Sequence, residues 1–148
     1  MTRRKKTPAV EWRNAFYRTA DGAAPALAWL GGIPKPRRDQ LLAWAETIRR
    51  WPEGPYAFPP GPMWQPMHDK AAGCFELRDK HDKKLYRLFC VIDRKAIDNG
   101  LTHPVVCYLD GATKAAGTAL PRATYRYLGE LREEYLATNP RRVLERLP

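Results

Sequence analysis

Between Cys74 and Asp93 the chain carries two strand-like runs, Cys74–Arg78 and Leu85–Asp93, joined only by the polar turn Asp79–Lys84 (DKHDKK). A connection that short cannot make the crossover that a parallel pair requires, so the two runs must fold back on each other. A third run, Val105–Leu109, follows a loop, Arg94–Pro104, that contains the turn dipeptide Asn99-Gly100. Three runs joined in this way make an antiparallel meander. The second run, LYRLFCVID, is apolar enough to lie in its middle.

The rest of the chain must pack against this sheet. Val10–Thr19, with Trp12, Phe16 and Tyr17, reads as a first strand. Asp21 offers an N-cap, Ala23–Leu30 a short helix, and Gly31-Gly32 a stop. Pro36–Trp51 reads as a longer helix, because Leu41, Ala45 and Ile48 recur at helical spacing. The segment Pro52–Pro66 holds six prolines with Tyr56, Phe58 and Trp64. That excludes a helix or a central strand and leaves an ordered loop wrapping the core. Ala112–Ala119 is small and flexible in composition. Pro121 then suits the first turn of a helix over Ala123–Leu136, which Asn139-Pro140 ends. Helices on either side of a meander in the sequence define an α+β domain.

The chain has 148 residues, enough for one domain with one core. Residues 1–8 read as a flexible basic tail, 9–138 as the domain, and 139–148 as a second basic tail. The net charge is +10, from 26 Lys and Arg against 16 Asp and Glu. Such a surface attracts polyanions, of which nucleic acid is the usual one, or an acidic protein. No apolar run approaches the roughly 20 residues of a bilayer span, and no apolar stretch follows the basic start. A cytoplasmic location and no membrane partner are therefore expected. Cys74, Cys90 and Cys107 lie in apolar segments without paired spacing and read as buried hydrophobes. His68, His81 and His103 lack any ligand spacing, so no metal and no cofactor are expected.

Period-two alternation sorts the meander side chains. Phe75 and Leu77 share a face, as do Leu88, Cys90 and Ile92. If these pack toward the helices, Arg78 and Arg87 point away together on an open sheet face. Two like charges side by side require an anion or a carboxylate between them. Glu76 on the same face is one answer, and a bound phosphate is the other.

These residues resemble a known family. Glu76-Leu77-Arg78, then Tyr86-Arg87-Leu88 with Val91-Ile92-Asp93, then Leu109–Lys114 and Pro121, look like the RelE/ParE toxin superfamily, closest to its phage-derived HigB-type branch. The likeness covers about residues 11–136. The family's phenylalanine in the third motif is replaced here by Ala112, and its paired lysine by Lys114 alone. The resemblance implies a RelE-like small antiparallel sheet packed against an N-terminal helix pair and a C-terminal helix. It also implies a growth-inhibiting toxin of a toxin–antitoxin pair. Such a toxin is a metal-independent endoribonuclease, or mRNA interferase. It cuts mRNA on the ribosome by 2′-OH attack, leaves a 2′,3′-cyclic phosphate, and is held in check by an antitoxin of helix-turn-helix type.

Carried over residue by residue, the resemblance implies Arg78, Arg87 and Lys114 as phosphate or transition-state contacts. Glu76, Tyr86 and Lys114 are candidates for proton transfer. Lys80, His81, Lys83 and Lys84 in the turn are candidates for nucleic-acid binding, with His81 a further candidate acid or base. A non-enzymatic protein on the same scaffold, inhibiting gyrase or binding nucleic acid, is the alternative that the altered lysine segment favours.

Overall fold

A computed structural model of the chain describes residues 10–145; the basic segment 1–8 lies outside them. The described residues form a six-stranded sheet of β1 (Arg13–Tyr17), β2 (Trp64–Pro66), β3 (Cys74–His81), β4 (Lys84–Asp93), β5 (Val105–Ala115) and β6 (Val143–Leu144). The strand order is β2-β3-β4-β5-β1-β6. β1 runs parallel to β5, and every other pair is antiparallel. Two helices, α1 (Pro25–Gly32) and α2 (Lys35–Arg49), pack on one face; α3 (Arg122–Leu136) packs on the other. The molecule is thus an α+β domain with an N-terminal helix pair and a C-terminal helix.

Alternation along the strands explains the two-sided packing. Leu77, Leu88, Cys90, Ile92, Val106 and Tyr108 meet Leu30, Leu41, Ala45 and Ile48 on the face of the helix pair. Cys74, Phe89, Val91, Cys107 and Leu109 meet Leu128, Leu131 and Tyr135 on the α3 face. β4 is covered on both sides, which is why its sequence reads as a continuous apolar run. Leu88 is fully buried, so truncating it to alanine would cost about 2–5 kcal/mol.

The hairpin turn is shorter than its composition implies. Asp82 and Lys83 adopt positive φ of 55° and 63°, a two-residue turn whose twist matches the flanking strands. Asp79, Lys80, His81 and Lys84, read as turn residues, are instead paired, with Lys80 opposite Leu85 and His81 opposite Lys84. At the outer end of a hairpin, polar side chains reach solvent from within a strand, so their polarity does not mark the turn. Asp21 accepts a hydrogen bond from the Ala23 amide at 3.2 Å and stabilises the bend before α1 rather than capping the helix, which begins at Pro25.

Two further expectations are corrected. The stretch read as flexible from Ala112 is strand as far as Ala115, because β5 pairs with the whole length of β4, out to Ala115 opposite Lys84. Small residues suit this part of the strand. A Cβ on Gly111 would lie 2.1 Å from the Trp29 ring, so glycine is what lets α1 lie against β5. Trp29 Nε1 then donates to Thr113 Oγ1 at 3.2 Å.

Of the segment 139–148, read as a C-terminal tail, residues 139–145 are also built into the fold, and 146–148 lie outside the described residues. Val143 and Leu144 pair with Tyr17 and Phe16. Arg141 is only 7% exposed. Its Nε donates to Asp93 Oδ2 at 3.0 Å, and its Nη1 donates to the carbonyls of Leu136 and Thr138. The Tyr135 hydroxyl donates to the same Asp93 oxygen at 2.6 Å, and the Lys95 amide to the other at 3.0 Å. A buried charge is tolerated only with such partners.

Candidate functional site

The register of the sheet places the candidate residues in rows on the α3 face. Arg78 lies directly opposite Arg87, and Arg87 opposite Ala112. One row inward stand Glu76, Phe89 and Asp110; one row outward stand Lys80, Leu85 and Lys114. The two arginines point away from the helix pair, as alternation requires. The face is not open, however. The connection from β5 to α3 and the start of α3 lie over it and leave a cleft of about 190 Å³. Gln65, His68, Glu76, Arg78, Arg87 and Tyr125 are among its walls.

The two guanidinium groups are in different situations. Arg78 Nε lies 2.9 Å from Glu76 Oε1, an attraction of opposite charges without an aligned hydrogen bond. Glu76 is therefore the counter-charge of Arg78. Arg87 has no such partner. It is 7% exposed, and no carboxylate among the described residues pairs with it. Its Nη2 donates a long bond, 3.4 Å, to the Thr118 carbonyl, while its buried Nε has no acceptor. A buried cation with an unsatisfied donor is costly, and an anion in the cleft would remove that cost. A guanidinium fork suits a phosphate because it presents two parallel donors.

The remaining candidates separate. Lys114 is half-buried on the same face, but it stands one row beyond the arginines and does not line the cleft. Tyr86 is corrected: it faces the helix pair, is 6% exposed, and packs in that core on the far side of the sheet from Arg78 and Arg87. A one-residue step along a strand reverses the face, so Tyr86 cannot share the cleft with Arg87. Lys80, His81, Lys83 and Lys84 are all exposed at the hairpin end. None of them forms an ion pair with a described residue, which leaves their charge free to attract a polyanion over a distance. His81 stands at this exposed tip and not in the cleft.

Gln65, His68 and Tyr125 are cleft residues that the sequence pattern does not mark. Gln65 reaches the site because β2 pairs it with Glu76. His68 follows immediately on Met67, whose amide donates to the Cys74 carbonyl at 2.9 Å. Tyr125 arrives with α3, which docks closely: a Cβ on Gly129 would lie 2.0 Å from the Lys70 carbonyl oxygen. These contacts are long-range and have no local signature.

The cysteines are free and buried. Burial pushes the Cys74 thiol up to about 11 and those of Cys90 and Cys107 well above the ordinary range, so none is a thiolate nucleophile near neutrality. Among the described residues no three side chains of metal-ligating type come together. None of their helices is long and apolar enough to cross a membrane. No protein-family model, curated protein or solved structure matches the chain.

Proposed function

We propose that this chain is the toxin of a toxin–antitoxin pair, a RelE/HigB-type endoribonuclease that cuts mRNA on the ribosome in the cytoplasm without a metal. The observation that carries the reading is Arg87, a buried arginine with no carboxylate partner among the described residues, lining a cleft beside Arg78. In the proposed reaction the ribose 2′-oxygen bonds to the adjacent phosphorus, the bond from phosphorus to the 5′-oxygen breaks, and a 2′,3′-cyclic phosphate and a 5′-hydroxyl result. Negative charge accumulates on the phosphoryl oxygens during this displacement. Two fixed guanidinium groups stabilise it without reorganisation. Glu76 holds Arg78 in place, and the exposed lysines of the hairpin draw in the backbone. A helix-turn-helix antitoxin would neutralise the protein by covering this basic face.

A non-enzymatic role on the same scaffold, in gyrase inhibition or nucleic-acid binding, is favoured by one observation. Lys114, the remaining lysine of its segment, stands outside the cleft. Inducible expression followed by mapping of mRNA 5′ ends separates the two. New ends that appear with wild type and vanish with Arg87→Ala support the nuclease. Growth arrest with an intact mRNA pool refutes it, and filamentation with DNA damage in the same cells points to gyrase.

A further inference from the structure

We infer that His68 is the proton-transferring residue of the cleft, taking the proton from the attacking hydroxyl. The inference rests on the endoribonuclease reading and deepens it. Displacement at phosphorus by a 2′-hydroxyl needs a group that accepts a proton, and the cleft offers few. Arg78 and Arg87 present guanidinium groups, which donate hydrogen bonds and have no acceptor. Glu76 is buried, 7% exposed, with Oε1 2.9 Å from Arg78 Nε, so its charge is committed to that pair. Lys114 lies a row away, Tyr86 is on the opposite face, and His81 is at the hairpin tip. His68 remains. It lines the same cleft as Arg78 and Arg87, and it is exposed, so substrate and solvent reach it.

Its position is held by the backbone on both sides. Pro66 is paired with Phe75, and the Met67 amide donates to Cys74. The His68 carbonyl then accepts from the Ala71 amide at 3.1 Å, closing the short turn on which α3 rests. The titratable and charged groups that share the cleft with it are Glu76 and Arg78 from β3, Arg87 from β4 and Tyr125 from α3; Asp69 and Lys70 follow on its own turn, and Arg132 of α3 lies against Gly73 just beyond that turn. In the reaction, neutral imidazole takes the 2′-hydroxyl proton as the new bond to phosphorus forms. The departing 5′-oxygen takes its proton from water, and imidazolium returns the acquired proton to solvent. The two arginines hold the phosphoryl oxygens throughout.

The test compares wild type with His68→Gln on a ribosome-bound mRNA with one mapped cleavage site, between pH 5 and 9. Binding is measured on the same RNA carrying a 2′-deoxynucleotide at the scissile position, and melting temperature checks folding. The single-turnover rate constant of the variant is expected to fall about 10²–10⁴-fold, the usual contribution of a general base. The pH profile of the rate should also differ between the variant and wild type, because removing a proton-transferring group alters it. Binding and melting temperature should stay unchanged. A variant that cleaves within threefold of wild type overturns the role of His68 and leaves the nuclease reading standing. A rate loss matched by weaker binding, with an unaltered pH profile, also overturns it, because His68 would then hold RNA rather than move a proton. If wild type with ribosomes cuts nothing, the nuclease reading fails and proton transfer by His68 fails with it.

Discussion

Replacing Arg87 with methionine should abolish function and raise stability together. In the folded protein the guanidinium is buried, its Nε lacks an acceptor, and its one hydrogen bond, to the Thr118 carbonyl, is 3.4 Å long. An unsatisfied buried donor costs about 1–3 kcal/mol, and a bond of that length recovers little of it. Methionine keeps the unbranched apolar stem between Phe89 and Leu85 on its strand and removes the charge. Exchanging buried charge for apolar volume is often neutral or stabilising. The net expectation is a gain of about 1–2 kcal/mol, which in a domain of this size raises Tm by about 2–8 °C. Tryptophan fluorescence through thermal and urea unfolding reads this directly, and cleavage of ribosome-bound mRNA reads the loss. A short RNA should then stabilise wild type more than the variant, since only wild type binds its phosphate in the cleft. A loss of more than about 1 kcal/mol in the variant would refute the reasoning, because Arg87 would then be a structural residue whose charge the fold itself requires.

Other outcomes can be checked with the same instruments. Arg141→Ala leaves the Asp93 carboxylate buried without its cation and should destabilise by about 3–5 kcal/mol, seen as a lower urea midpoint. The double variant Asp93→Asn with Arg141→Ala should lose less than the two single losses added. Gly111→Ala drives a methyl group into the Trp29 ring and should cost about 1–3 kcal/mol in melting experiments, with Trp29→Leu relieving part of it. Cys74 titrates at about 11 in the folded protein against 9.0 in the unfolded chain. The unfolded chain therefore gives up this proton first, so stability that is complete below pH 9 declines as pH rises toward about 11. For Cys74 alone the decline is about 3 kcal/mol. Urea midpoints at pH 7 and pH 10.5 should differ less in Cys74→Ala than in wild type.

Parts of this were legible in the residues, and the physical reason differs from element to element. The faces of β3 and β4 follow from period-two alternation, a local property, so Leu77, Leu88 and Cys90 against the helix pair and Arg78 with Arg87 on the other side could be read directly. The spacing of Leu41, Ala45 and Ile48 in α2 is equally local. The outer half of β5 was not legible, because Asp110–Ala115 has neither alternation nor β-branched residues beyond Thr113 and becomes strand only by pairing with β4. The C-terminal segment has the composition of a tail, and its partners, Asp93 and the strand β1, lie far away in the chain. At the site, the pairing of Arg78 with Arg87 was readable from the hairpin. The closing of the cleft by α3 and the β2 turn is not, because alternation describes only the sheet face itself and carries no trace of His68 or Tyr125 beside it.

β1 cannot find its place until residues about 90 and 125 positions further along have been made. Arg13 pairs with Val105, and Tyr17 with Val143, so β1 waits in the emerging polypeptide for both of its neighbours. The β3–β4 hairpin, by contrast, is complete as soon as it is made. Contacts this distant in sequence slow folding and leave partly built sheets exposed in the meantime. A nascent chain from which residues 105–144 have not yet emerged, with Asp93 and β1 unpartnered, would lack the finished sheet on which the arginine cleft is mounted. Under the proposed function, a chain at that stage of synthesis would not yet carry the cleft.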